Sequence, residues 1–329
     1  MVISYATPRK WLFTIGILGL ITAVSFIFSL SIGSANLSYS QIINSFVDSS
    51  NNVTKTLILE LRLPRTLAAF ACGAMLSIAG VLMQVLLRNP LADPYVLGVS
   101  GGASLAALVM MLIGFETLLI TTGAFGGALL SIILVFIFAH SKGSWTIPRL
   151  LLTGVVMAAG WGALISFLVV ISPPEKIHGM LFWLMGDLSY DRPIMPGYII
   201  LCLGLILALP LCREFNVMIW GDKQAESLGV NTKKLRLKIY FIASLLTAGA
   251  VSLAGGIGFV GLVVPHFIRL IVGNEHRILL PASALAGGSL VIVADSLART
   301  AMAPQQIPVG VITALLGVPL FLYLLRRSQ

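Results

Sequence analysis

Long apolar runs alternate with short polar breaks along the chain, and the runs have the length of membrane spans. A spanning helix needs about 20 predominantly apolar residues. Runs of this kind lie at 11–32, 66–87, 95–114, 117–139, 149–171, 194–212, 236–254, 258–273, 279–298 and 307–325. The pattern predicts an all-α, polytopic membrane protein with about ten transmembrane helices. Most breaks are too short to hold a further domain, so residues 1–329 are expected to form one membrane domain. Two polar stretches interrupt it. The first, Gly33 to Glu60, is rich in Ser and Asn and lacks a spanning run; the second, Arg213 to Lys238, is an insertion within the domain.

The most irregular run is Ser252 to Arg277, SLAGGIGFVGLVVPHFIRLIVGNEHR, and the rest of the chain is expected to be organised around it. Gly255, Gly256, Gly258 and Gly261, then Pro265, His266 and Arg269, are not what a featureless lipid-facing helix needs. Such backbone is tolerated at membrane depth only when buried in protein or lining a cavity. The stretch therefore reads as two short spans and their turn. Its glycines also spell G-x-G-x-x-G, but a dinucleotide fingerprint follows a strand and is followed about 20 residues later by an acidic residue. Leu280, Pro281, Ala282 and Ser283 stand there instead.

Composition removes the soluble classes. Apolar residues make up 58% of the chain and charged residues 10%, and the mean hydropathy is +1.00. The net charge of +9 does not imply nucleic acid, because basic residues gather on the cytoplasmic side of membrane proteins. Ten spans with the N-terminus inside return the C-terminus, Arg326 and Arg327, to the same side. Fifteen of the 21 Lys and Arg residues then fall inside, against six outside: Lys55, Arg62, Arg65, Lys176, Arg192 and Arg299. Arg9 and Lys10 before the first run resemble the start of a signal peptide, but the run exceeds the roughly 7 to 15 residues of an h-region and is expected to be a retained span. Cys72, Cys202 and Cys212 lack C-x-x-C spacing and read as packing residues. Small residues four apart, Gly98 with Gly102, Gly123 with Gly127 and Ala284 with Gly288, predict helix packing seams.

Catalytic and metal chemistry have little to work with. No lysine completes a G-x-x-x-x-G-K-[ST] phosphate loop, and His140, His178, His266 and His276 have no acidic partner at helical spacing. Gly98-Val99-Ser100-Gly101-Gly102 spells G-x-S-x-G, but within an apolar span rather than a strand-to-helix turn. An ion-coupled secondary transporter of a small hydrophilic solute is the competing class. Such proteins keep ionisable groups at membrane depth, and here Asp295, near the outer end of its span, is the main acidic candidate. The insertion is more informative. Ala225, Leu228 and Ile219 are expected on one face of a short helix ending at Gly229, suited to docking on a soluble partner.

Six ordered motifs carry a family resemblance: Arg62-Leu63-Pro64-Arg65; Arg88-Asn89-Pro90-Leu91-Ala92-Asp93-Pro94 with Leu97-Gly98; Trp183-Leu184-Met185-Gly186; Glu226-Ser227-Leu228-Gly229; Gly258 through His266; and Pro308-Val309-Gly310. With them the chain resembles FecCD-type permeases, the membrane subunits of bacterial ABC importers for iron-siderophores, haem and vitamin B12. The resemblance runs from about residue 10 to the C-terminus. It implies a type II ABC importer architecture in the inner membrane, with both termini cytoplasmic. A second copy or close paralogue, two cytoplasmic ATPases and a periplasmic binding protein are the implied partners. ATP and Mg would sit on the ATPases, with no cofactor on this chain.

Residue by residue, the resemblance implies that Ala225, Glu226, Ser227, Leu228, Gly229, Val230 and Asn231 contact the ATPase. Thr146, Ile147 and Pro148 match a cytoplasmic gate, and Asn89 and Leu91 a second constriction. The fifth span, from Arg149 to Ser166, would line the path, where Gly154, Ala158, Ala159, Gly160 and Gly162 fit either a wide passage or close packing. Arg62, Arg65 and Arg299 match the arginines that meet acidic residues of the binding protein. Gly256 departs from the Pro of many members, implying a slightly looser turn. No residue selects among siderophore, haem and cobalamin.

Overall fold

The computed structural model describes residues 8–33, 52–140, 146–188 and 193–327. Among them the chain is helical throughout. The long helices are α1 (Pro8–Ser31), α2 (Leu63–Leu87), α3 (Val99–Ile113), α4 (Thr117–Ala139), α5 (Ile147–Ile171), then a short α6 (Pro174–Leu184). After α7 (Met195–Ala208), the insertion forms α8 (Cys212–Met218) and α9 (Asp222–Ser227). The chain closes with α10 (Thr232–Ala254), α11 (Val260–Val272), α12 (His276–Thr300) and α13 (Val309–Arg327). Among the described residues, seven helical stretches are long and apolar enough to cross a membrane, and Val99–Ile113, Val260–Val272 and Val309–Tyr323 are shorter apolar helices, which accounts for the ten expected runs. Residues 34–51, which make up most of the first polar stretch, and with them Lys142 and Arg192, lie outside the described residues.

The hub is α2, not the Ser252–Arg277 stretch. Nearly every residue of α2 is buried, and it packs against α7, α10, α11 and α12. Close approach makes this possible. A Cβ on Gly73 would lie 2.2 Å from the Gly287 carbonyl oxygen of α12, and one on Gly80 would overlap the Gly261 carbonyl of α11. Gly102 and Gly127 do the same between α3 and α4, as their spacing predicts. Helices in lipid gain little from apolar burial, so such contacts carry the packing.

Helix also begins earlier than expected before α2. Asn52–Thr56 is one short α-helix and Leu57–Arg62 a π-helical run leading directly into α2. The Leu63 N–H bonds back five residues to the Ile58 carbonyl. That register absorbs Pro64, which lacks an N–H and would otherwise end the helix.

The two short spans α3 and α11 are completed by irregular backbone. Gly98 (φ 71°) separates the 3₁₀ turn Pro94–Leu97 from α3, and Phe259 (φ 68°) precedes α11. These segments meet. The Tyr95 hydroxyl donates to the Ile257 carbonyl at 3.1 Å and accepts from the Ile257 N–H at 3.2 Å. Gly261 touches α2 at Gly80, about 10 Å from the end of that helix at 1.5 Å per residue. The N–H and carbonyl that Ile257 would otherwise leave open are thus both satisfied within the protein, as backbone at membrane depth requires. The looser turn expected at Gly256 is not seen: a Cβ there would lie 2.6 Å from the Leu184 carbonyl, and one on Gly255 (φ 69°) 2.1 Å from the Trp183 carbonyl.

Candidate functional site

The candidate residues fall at two ends of the molecule and along one helix between them. At the insertion end, α9 is closed by two backbone bonds, Val230 N–H to the Ala225 carbonyl and Gly229 N–H to the Glu226 carbonyl, both 3.0 Å. With Gly229 at φ 84° this is a Schellman motif, so the helix stops where the sequence predicts. Thr232 Oγ1 donates to Glu226 Oε1 at 2.7 Å, and the Asn231 side chain caps α10 by accepting from the Lys234 N–H at 3.0 Å. The single apolar face expected for Ala225, Leu228 and Ile219 is corrected. Ala225 is fully buried against the body, whereas Leu228 points out. Because the helix has barely two turns, the bend at Gly229 rather than 3.6-residue periodicity decides which side chains face outward. Trp220 joins Leu228 on the outer surface, and Ser227 is exposed with them.

Polar contacts made by Asp222 and Asn216 hold this insertion in place. Asp222 pairs with Arg88, just after α2, and with Arg236 of α10. Asn216 accepts from the His276 N–H at 3.0 Å and donates to Glu275 Oε1 at 2.8 Å, joining α8 to the start of α12. Sequence reasoning missed these contacts, which join residues up to 134 positions apart and leave no local pattern, as for Asp222 and Arg88.

Between the ends runs α5. Gly154 is buried, and its Cβ would lie 2.4 Å from the Val96 carbonyl, so this glycine serves packing against the 89–98 loop. Gly160 and Gly162 face open space, and Ala158 and Ala159 are exposed. The two readings of the small residues therefore divide along the helix. Asn89 Oδ1 accepts from the Leu91 N–H at 2.9 Å, closing a turn in the loop that Gly154 seats. Asp93 Oδ1 accepts from the Tyr95 N–H at 2.7 Å, and burial pushes this carboxyl up against the pull of that bond. Thr146 is exposed and extended at the start of α5, followed by Ile147 and Pro148 in its first turn.

At the opposite end, Arg62, Arg65 and Arg299 converge as a group, but Arg62 and Arg65 are buried and the Arg299 side chain is only 10% exposed, so none is displayed. Arg62 Nη1 donates to the Leu30 carbonyl at 2.7 Å, holding the end of α1. Asp295 sits between the other two. Its carboxylate meets Arg65 Nη2 at 2.9 Å and Arg299 Nε at 3.0 Å. Asp295 and Arg299 are four apart on α12, the one part of this cluster a helical spacing rule could have found. The three arginines, with Gly33, Ala303, Pro304 and Gln306, line a cavity of about 310 Å³.

Comparison with known proteins now decides the family. The FecCD transport family matches residues 21–327. The chain belongs to that family. Among relatives, it is 42% identical to a cobalamin import system permease protein, BtuC, from Halobacterium salinarum, over 84% of this chain and 74% of that protein. It is 38% identical to the hemin transport system permease protein HmuU of Yersinia pestis, over 98% and 97%. A solved structure described as an inward-facing conformation of a metal-chelate type ABC transporter superposes with a TM-score of 0.85 at 31% identity, covering 95% of this chain and 98% of that one. In this FecCD chain, the carboxylate considered for ion coupling, Asp295, is occupied by two arginines. The family match supports transport by a permease subunit and not the ion-coupled alternative.

Proposed function

We propose that this chain is the membrane-spanning permease of an ABC importer that brings a bulky metal chelate across the cytoplasmic membrane. The observation that carries the proposal is α9: a short, firmly capped helix that turns Trp220 and Leu228 outward in a chain without a phosphate loop. A separate ATPase docks on that surface and holds the ATP and Mg, so the insertion end and both termini face the cytoplasm. The positive-inside count supports this orientation. A second permease copy or paralogue faces α5, of which only 6% of the apolar window is covered within one chain. Cobalamin and hemin, named for the two relatives, are both metal chelates, and an iron chelate remains the favoured cargo.

Reconstituted alone in liposomes, the chain should hydrolyse no ATP and move no chelate, and both activities should appear with an ATPase and a binding protein added. ATP hydrolysis by the single polypeptide overturns the proposal.

The arginine cavity is the proposed docking point for the binding protein. Its guanidinium groups are buried, so an acidic side chain of the partner has to reach into the cavity. Arg62→Gln, which spares the Asp295 pairs, is expected to weaken binding-protein affinity more than about tenfold at low salt and less at high salt. Equal affinity in nanodiscs at both salt concentrations would return Arg62 to holding α1 against α2.

A further inference from the structure

Docking an ATPase on Trp220 and Leu228 requires an outward apolar surface, but it does not require Asp222. That residue opens α9, and its two carboxylate oxygens are divided between Arg88 and Arg236. Arg236 belongs to α10, 14 residues further along the chain. Arg88 belongs to a different part of the fold: it ends α2 and starts the loop that carries Asn89 and Leu91.

The backbone at Arg88 is unusual. It is left-handed, with φ 48°, and closes α2 in a Schellman pattern, the Asn89 N–H bonding the Gln84 carbonyl at 3.2 Å. Glycine takes this conformation without steric cost, and a side chain there is strained. An arginine at such a position contributes something glycine cannot, and here its side chain reaches Asp222. Gly221, at φ 105°, takes a backbone conformation that side chains disfavour, and it lets Arg88 Nη1 lie at ordinary contact distance, 3.8 Å from where a Cβ would stand. From Arg88 the chain continues to Val96 and Leu97, on which Gly154 of α5 is seated.

We propose that Asp222 is the positioning residue for coupling, tying the ATPase-contacting helix to the 89–98 loop through Arg88, so that a displacement of α9 is delivered to Asn89, Leu91 and α5. The inference rests on the permease reading above. Its test is the amount of chelate moved per ATP in liposomes holding the full complex. Asp222→Asn should assemble with the ATPase and hydrolyse ATP at close to the parent rate, while the transport-to-hydrolysis ratio falls by roughly three- to thirtyfold. Asp222→Glu should restore the ratio, and Arg88→Gln should reproduce the defect without adding to it in the double variant. An unchanged ratio in Asp222→Asn overturns the proposal. So does a defect that appears only as failed assembly or as parallel loss of hydrolysis and transport. Failure of the unsubstituted complex to couple at all would instead count against the permease reading.

Discussion

The molecule builds the same charge pattern twice, one aspartate between two arginines, and puts it in opposite surroundings. At one end, the side chains of Arg65, Asp295 and Arg299 are 8%, 1% and 10% exposed. At the other, those of Arg88, Asp222 and Arg236 are 35%, 35% and 18% exposed. A desolvated cluster is strongly destabilised by removal of one partner, because the remaining charges are stranded; a solvated one is screened and cheap to open. The first arrangement suits a joint that holds α2 and α12 together whatever the transporter does. The second suits a contact that has to yield during a cycle.

The largest expected effect tests the buried joint. Asp295→Ala leaves Arg65 and Arg299 facing each other and should cost about 3–5 kcal/mol, read as a lower midpoint in a reversible detergent-denaturation series. Asp222→Ala should cost no more than about 1 kcal/mol in the same series. Equal losses at the two ends would remove the distinction between joint and movable contact.

A mid-sized effect sharpens the picture along α5, which lies between the clusters. Gly154→Leu drives a side chain into the 94–97 backbone and should cost about 1–3 kcal/mol, whereas Gly162→Leu, facing open space, should leave the isolated chain's midpoint within about 0.5 kcal/mol and lower transport instead. If both variants lose stability alike, Gly162 is also a packing residue.

Hydropathy made the spans legible but could not say which of them is central. The apolar windows of α2 and α5 have nearly the same hydropathy, 2.1 and 2.3, yet 89% of the first and 6% of the second is buried inside the chain. Lipid and protein interior are equally apolar solvents, so the pattern that finds a membrane helix is blind to which of the two it meets. Irregularity was a better guide to local geometry: the glycines after Ser252 do turn and pack tightly, although the hub they pack around is α2. At the insertion, Gly229 marked the helix end correctly because an αL cap is a local property. The outward exposure of Trp220 and of Leu228 depends on how that bend sits on the body and is not legible in the spacing. The arginines at 62, 65 and 299 do converge, but their carboxylate lies 230 residues from Arg65, and only its four-residue spacing to Arg299 is legible in the sequence.

Gly73, where α2 touches the α12 backbone at Gly287, divides α2 unequally: eight residues separate it from Arg65 and fifteen from Arg88. At 1.5 Å per residue the two arms measure about 12 and about 22 Å. A straight rod pinned to α12 at Arg65 and at Gly73, and to α11 at Gly80, cannot swing about any one of these points, so a push at the arginine cavity reaches Arg88 only as a shift of the whole rod, about 34 Å from one arginine to the other.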